Sequence, residues 1–419
     1  MRRNKNEIDR NNMRLFIAAF IIAGVCFSSP SIASFLPMDH RAYRDIDALE
    51  VRGYQIVPST TLKPYDRRQI AEGLRDLADH QTALSEYEQQ LYHRLSAEFA
   101  REIEKLRQAS VSGDEAFDAD SHAPVVSGSA NPRLLVQLNP MTLRQPRWYR
   151  LPATTRTPTD RVRNINTLDL TLHVTPRLSV TQRFETDTDG RWDNDYAGRV
   201  GLEDYRRDVV GHVEYAYASY ETNFGTVSFG RMPLVWGPER QGNLLLSENA
   251  PAPTVISGTA HLGWLHASAF TGELEKYKTD SQYIRRYLSG HRVTLTPTHW
   301  LEVGFGETVV YGSADQGFSL KWGNPFTWYY GDEVNEEARD RNILASADVV
   351  LRPVPGIEVY GVLLVDDIQL HGNAPHRIGW TAGTRWETPL GWDRVGFGLE
   401  YTRINRWTYI HLARSMEQT

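Results

Sequence analysis

The feature that most constrains this chain is a two-residue alternation of apolar and polar side chains between residues 164 and 414. It recurs in segments of about ten residues separated by turn residues, the pattern of strands in a membrane barrel. Side chains alternate faces along a strand, so each segment forms a ribbon with one apolar and one polar face. The clearest segment places Leu168, Leu170, Leu172 and Val174 on one face and Asp169, Thr171 and His173 on the other.

Two folds can accommodate such ribbons. A soluble sandwich buries the apolar faces between two sheets, whereas an outer-membrane barrel presents them to lipid and keeps the polar faces in the lumen. All eleven tryptophans lie at Trp148 or later, as expected of interfacial girdles on a barrel. The pattern therefore favours a mainly β fold, a transmembrane antiparallel β-barrel over residues 131–419, with the sandwich as the alternative.

The strand count bears on closure of the barrel. We count roughly thirteen strands, whereas single-chain bacterial barrels normally have an even number. Either some strands are disguised, or the chain stops before its barrel is complete. The last ribbon is followed by the polar tail Ser415 to Thr419.

The first 33 residues have the composition of an export signal. Arg2, Arg3, Lys5 and Arg14 precede an apolar run from Leu15 to Cys26, and small residues follow up to Ala33. Cys26 is the only cysteine. Cleavage near residue 33 would leave a mature chain without disulfides or thiolate metal sites.

Residues 34–108 predict a small periplasmic bundle of three helices. One is expected around Ala42 to Val51 and a second after Asp66. A third begins at Ser85 with Glu88 three residues later, which is a capping box. Residues 109–130 are small, acidic and aperiodic, and predict a linker.

Composition excludes several classes of function. The net charge is −6, so we expect no nucleic-acid partner. We find no catalytic motif and no nucleophile with a base in reach, and therefore expect a protein that is not an enzyme. No metal or cofactor is expected, and we expect a monomer in contact with outer-membrane lipid.

Two segments stand out as candidate functional regions. The first, residues 230–238, contains Arg231 and Trp236 among glycines and prolines that end a strand and turn the chain, either inward or as a plain structural turn. The second runs from Lys321 to Arg341 and is rich in aromatic residues and carboxylates. Aromatic rings stack on sugars while amides and carboxylates bind hydroxyls, so it predicts either a glycan site or a loop that plugs the lumen. Its candidate residues are Trp322, Asn324, Trp328, Tyr329 and Tyr330.

Asp366 and Asp367 follow the apolar segment from Val359 to Val365. Adjacent residues of a strand point to opposite faces, which argues against a shared acid–base role. We include both as glycan-binding candidates.

Several motifs together resemble one family. They are Leu36-Pro37 through Tyr43, Leu49, Gly53, Pro64 through Arg68, Gly230-Arg231, Trp236-Gly237-Pro238, Asn324-Pro325-Phe326, and Leu363 to Asp367. In order and spacing they are similar to the capsule assembly family typified by Wzi. The resemblance implies an eighteen-stranded barrel behind a periplasmic helical bundle, and a lectin-like protein that holds capsular or extracellular polysaccharide at the cell surface. An oligosaccharide pore is the alternative.

Members of this family usually continue past the segment that matches Thr408 to His411 with several more strands. From the resemblance we therefore expect this chain to be truncated at its C-terminus.

Overall fold

The protein is described here by a computed structural model. The described residues are 35–112, 133–144, 162–175, 177–187, 210–278, 283–313, 317–333, 341–367, 376–388, 391–392 and 394–409. The predicted signal peptide and most of the predicted linker lie outside these ranges.

The N-terminal region contains four helices where the sequence predicted three. They are α1 (Ala42–Val51), α2 (Arg67–Ala78), α3 (Glu86–Glu98) and α4 (Ala100–Ser112), with a 3-10 turn at Gln81–Ala83. The predicted third helix is broken at Phe99, which leaves the helical conformation. Arg67 holds the two halves, because its guanidinium lies over the Phe99 ring and pairs with Glu98 and Glu102 on either side of the break.

Local sequence signals fix where these helices begin. The Asp66 carboxylate accepts a hydrogen bond from the backbone N–H of Arg68 and caps α2. Ser85 and Glu88 form the predicted capping box, in which each side chain accepts from the other residue's backbone N–H. These contacts satisfy amide groups that have no partner inside the helix.

Thirteen strands form one antiparallel sheet in which nearly every strand pairs with the next along the chain. The count agrees with the sequence. Among the described residues, the first and last strands of the sheet form its two edges. The strands are β2 (Arg133–Arg144), β3 (Val162–His173), β4 (Leu178–Asp187), β5 (Val210–Glu221), β6 (Gly225–Arg231), β8 (Thr254–Leu262), β9 (Leu265–Lys278), β10 (Tyr283–Thr298), β11 (Leu301–Tyr311), β12 (Arg341–Val354), β13 (Ile357–Asp367), β14 (Arg377–Glu387) and β15 (Gly396–Ile404).

Two short strands lie apart from this sheet. β1 (Leu62–Lys63) precedes the second helix, and β7 (Val235–Trp236) lies between β6 and β8. They pair with each other, and β6 pairs directly with β8. Residues 232–253, which we call the inner loop, therefore leave the sheet to meet the N-terminal region.

The sheet is apolar outside and polar inside. On β4, Val180 and Phe184 are 42% and 38% exposed, while Ser179 and Arg183, which precede them directly, are at most 3% exposed. The same reversal occurs on most strands, and it is the opposite of a soluble protein, whose polar side chains face water. We call the exposed apolar side the outer face and the side that contacts the N-terminal region the inner face. The reversal confirms the predicted membrane barrel over the sandwich.

One strand departs from the predicted alternation. Strict alternation would put Val213 and Tyr215 on a single face, but β5 has an extra residue at Glu214, so that Val213 pairs with Phe184 and Tyr215 pairs with Arg183. Such a bulge reverses the faces of all residues beyond it. Tyr215 and Tyr217 therefore pack on the inner face, where Tyr217 meets Phe35.

The two ends of the sheet differ in their connections. Turns of a few residues, such as residues 355–356, lie at the end nearest the helices, where the Gly356 N–H donates to the Val51 carbonyl. Long connections, such as residues 312–340, lie at the other end. Outer-membrane barrels have short periplasmic turns and long extracellular loops, so the helical end is periplasmic and the loop end extracellular.

Candidate functional site

The N-terminal chain enters the barrel. Residues 59–63, which we call the plug segment, lie against the inner face near the periplasmic end. The Glu302 carboxylate accepts hydrogen bonds from the hydroxyls of Ser59, Thr60 and Thr61, at 2.8 Å for Thr60 and 2.7 Å for Thr61. Thr60 and Thr61 also accept from Arg352 and Arg292, each at 2.9 Å. Three neighbouring strands thereby hold the plug segment.

Buried ion pairs support these contacts. Arg292 makes two hydrogen bonds to Asp348, of 2.6 and 2.8 Å, and both side chains are almost fully buried. Arg352 pairs with Glu358 at 3.0 Å. Bidentate charge-assisted bonds have a fixed geometry, so this network holds β10 to β13 and the plug segment in one arrangement.

The inner loop fills more of the interior. Trp236 is 2% exposed and meets Phe270 edge-on, with 5.3 Å between ring centroids. The Gly237 N–H donates to the Thr61 carbonyl at 2.9 Å. Arg240 pairs with Asp47 of α1 and, at 3.1 Å, with Glu358. Of the two alternatives for this segment, the structure shows the inward turn rather than a plain structural turn.

Little space remains where the plug segment and inner loop meet β8 and β9. A cavity of about 30 Å³ lies there, lined in part by Lys63, Asp66, Trp236 and His261.

Several carboxyl groups at this junction have shifted pKa values. Burial raises the pKa of Glu50 to about 7, although its carboxylate accepts from the N–H groups of Ile56 and Val57. Burial, with the nearby Glu221 charge, raises the pKa of Asp66 to about 7. Asp47 behaves differently: burial alone would raise its pKa, but the charge of Arg240 and other cations lowers it below its ordinary value.

The second predicted segment lies on the opposite side of the wall. Residues 317–333, which we call the outer loop, end in a short helix, α5 (Tyr329–Glu333). The loop packs against Tyr287, Val309 and Tyr311, which alternate with inward-facing Leu288 and Val310. The expectation that this loop plugs the lumen is therefore wrong. After β11, the outer loop folds over the outer face. The plug segment and the inner loop occupy the interior instead.

The nine predicted site residues differ in burial and in their hydrogen-bond partners. Trp236, Trp322 and Tyr329 are at most 3% exposed and serve as packing, and Arg231 donates to the carbonyls of Val213 and Ala252. Asp366 is buried and accepts from the Tyr409 N–H at 2.7 Å, while Asp367 lies opposite Arg377 in the sheet. Asn324 and Trp328 are exposed and Tyr330 is half-buried, all on the outer loop.

Sequence reasoning missed the interior network. Arg292, Glu302, Asp348 and Glu358 were not among the predicted site residues, and no pairing among them was predicted. The available signal was a charged residue at an alternate position within an otherwise apolar strand, as in residues 345–351. That signal shows which face a charge occupies, but not its partner, which comes from a distant part of the chain.

In the part of the chain that the structure describes, no helix is both long and apolar enough to cross a bilayer. Within the same ranges, no group of three or more histidine, cysteine, aspartate or glutamate side chains is arranged to hold a metal ion.

The chain is similar in structure to Wzi of Escherichia coli, an outer-membrane protein involved in group 1 capsule assembly and described as a carbohydrate-binding β-barrel. The two share 16% sequence identity and a TM-score of 0.57, over 92% of this chain and 76% of that one. This likeness shows the fold. A search of curated proteins returned no match.

Two further barrels are more distant. OccK1 of Pseudomonas aeruginosa has 11% identity and a TM-score of 0.30, over 65% of this chain and 81% of its own. OmpT of Vibrio cholerae has 10% identity and a TM-score of 0.27, over 67% and 88%. Similarities at these scores support no argument.

Sequence comparison with protein families gives a more specific result. The family described as capsule assembly protein Wzi matches residues 169–411, which is more than half of the chain. The match runs from β3 to just beyond β15. The chain belongs to the Wzi capsule assembly protein family.

Proposed function

We propose that this protein binds capsular or extracellular polysaccharide and holds it at the cell surface without modifying it. The observation that carries the proposal is the occupied interior, in which the plug segment is bonded to Glu302, Arg292 and Arg352. A barrel filled in this way offers its extracellular loops, rather than its lumen, to a large polymer. The barrel lies in the outer membrane, as its family and its likeness to Wzi indicate. The short turns at the helical end of the sheet support a periplasmic position for the helices.

The sugar-binding surface in this proposal is the exposed part of the outer loop. Trp328 is 64% exposed and presents a ring on which a sugar can stack. Asn324 is exposed and Tyr330 half-buried, and both carry groups that can bind hydroxyls. We assign structural roles to the buried candidates, because their rings and carboxylates are already packed or hydrogen-bonded.

The segments outside the sugar-binding surface have supporting roles in this proposal. Residues 1–33 act as a signal peptide, residues 109–130 link the helices to the barrel, and the barrel works as a monomer surrounded by lipid. The helices then serve to deliver and anchor the plug segment. Consistent with this, α1 carries Asp47, which pairs with Arg240 and Arg385 inside the barrel.

Polysaccharide retention on cells tests the proposal. We expect deletion of the gene to move polysaccharide from the cell surface into the medium, and the full chain to restore retention. Trp328→Ala should weaken binding by about 1 kcal/mol, roughly five-fold. The matched control is Trp264→Ala, which removes a tryptophan of similar exposure, 59%, from a turn at the periplasmic end. Equal retention by deleted and parent cells would overturn the proposed function.

A further inference from the structure

The outer loop lies on the lipid-facing side of the barrel. It covers Tyr287 of β10, Tyr311 of β11 and Ile343 of β12 near the extracellular end. Further down the same face of β10 and β11, Val293, Val303 and Phe305 are 39–44% exposed. The barrel presents this exposed apolar surface to lipid, and the outer loop extends it toward the extracellular end.

The loop shields polar groups on the outer face. The Glu307 carboxylate is fully buried beneath it and accepts from the N–H groups of Tyr329 and Tyr330, at 3.0 and 3.3 Å. His291 lies 3.2 Å from the same carboxylate. A polar cluster on the outside of a barrel is compatible with an apolar environment only when it is covered and hydrogen-bonded. The loop provides that cover.

The loop itself is anchored firmly. Trp322 and Tyr329 are 3% and 1% exposed, and the Tyr329 hydroxyl donates to the Trp322 carbonyl at 2.7 Å. Arg341 lies over the Trp322 ring at 5.2 Å. In contrast, Leu320 and Phe326 are 81% and 93% exposed, more than any other large apolar side chain in the described residues.

We propose that Leu320 and Phe326 insert into the outer leaflet of the membrane, so that the outer loop is a lipid anchor on the outside of the barrel. Exposed apolar surface of this kind needs a partner. Phe326 has a ring that can stack on a sugar, but Leu320 has none, and both belong to a loop that packs on the lipid-facing side of the barrel. The partner is therefore lipid rather than glycan. The anchor would hold Asn324 and Trp328 near the membrane surface.

Site-specific fluorescence tests the lipid contact independently of polysaccharide binding. Cys26 is the only cysteine of the full chain, so the Cys26→Ser variant has none. Phe326→Cys or Leu320→Cys in that variant can then carry a single environment-sensitive fluorophore. The protein is reconstituted in phosphatidylethanolamine and phosphatidylglycerol vesicles, with or without lipids that carry a nitroxide quencher near the head group. Val293→Cys is the lipid-facing control, and Arg101→Cys, on an exposed position of α4, is the aqueous control.

We expect nitroxide lipids to quench the labels at 326, 320 and 293, while aqueous iodide quenches only the label at 101. Quenching of 326 and 320 by iodide and not by nitroxide would overturn the proposal. It would also be overturned if added polysaccharide, rather than lipid, protected these labels from iodide. An unquenched label at 293 would overturn it too, because the anchor depends on continuity with the lipid-facing wall.

Discussion

At the scale of single residues, the interior depends on charges that are buried and paired. Arg292 and Asp348 are at most 1% exposed at their side chains. Arg292 lies directly over Gly304, where an added Cβ would come within 2.0 Å of its guanidinium nitrogen. The glycine thus makes room for the arginine, and the arginine in turn bonds Thr61 of the plug segment.

Breaking the ion pair between Arg292 and Asp348 should lower the free energy of unfolding. We expect Asp348→Asn to destabilise the barrel by about 3–5 kcal/mol, because it leaves a buried arginine without its counter-charge. The double variant Arg292→Met with Asp348→Leu should lose much less, because it buries no charge. Urea unfolding in lipid vesicles measures both. Equal losses in the two variants would show that the pair stabilises mainly through packing.

A second residue, Asp66, should make the junction between helices and barrel sensitive to pH. Its pKa is raised to about 7 by burial, whereas the ordinary value is 3.8, so the folded protein binds this proton more tightly than the unfolded chain. Stability from this group is therefore greatest at low pH and falls as the pH rises from about 4 to 7. Its Thr226 partner, at 2.9 Å, links α2 to β6.

We expect Asp66→Asn, which keeps a capping side chain, to unfold at a higher temperature than the parent at pH 8 and to lose most of this difference at pH 4. Thermal unfolding at the two pH values measures the effect. Asp79→Asn at an exposed position should follow the parent at both. A constant difference between Asp66→Asn and the parent would argue against titration of Asp66.

At the scale of elements, each strand is defined by which face meets lipid. Leu363 lies mid-strand in β13 and is 46% exposed on the outer face, whereas Val362 and Leu364 beside it pack in the interior. We expect Leu363→Arg to destabilise the membrane-inserted protein by about 2–4 kcal/mol, and Leu363→Ala much less. Urea unfolding in bilayers measures this. A tolerated arginine would mean that this face of β13 contacts water.

The elements also show what sequence alone can predict. The two-residue period of β3 identified the strand and its faces correctly, because alternation is a local signal. The bulge at Glu214 was not predicted, since one inserted residue reverses the faces of β5 without changing its composition. The break at Phe99 was also missed, because no glycine or proline marks it.

The candidate site was harder to predict than the fold. Aromatic composition identified the outer loop, but it did not distinguish Trp322, which is buried packing, from Trp328, which is exposed. It also assigned the loop to the lumen as one alternative. Which side of the wall the loop covers depends on Glu307, His291 and the other outer-face residues beneath it. Glu307 and His291 lie on the two strands before the loop, but the alternation of these strands does not show which face the loop will cover.

At the scale of the whole molecule, two sets of contacts hold the barrel and the N-terminal region together. The plug segment reaches Glu302 on β11, and the inner loop joins Asp47 on α1 to Glu358 on β13. Because the plug segment and the inner loop both occupy its interior, this protein is suited to display a binding surface rather than to conduct solutes.

Conductance in planar lipid bilayers tests whether the interior of the barrel is occupied. We expect the parent protein to show no steady open channel. A variant in which Ser59, Thr60 and Thr61 are all alanine should conduct intermittently, because Glu302, Arg292 and Arg352 lose their plug-segment partners; this variant also shows that insertion occurred. A steady, ion-conducting open state in the parent protein would contradict the account and favour an oligosaccharide pore.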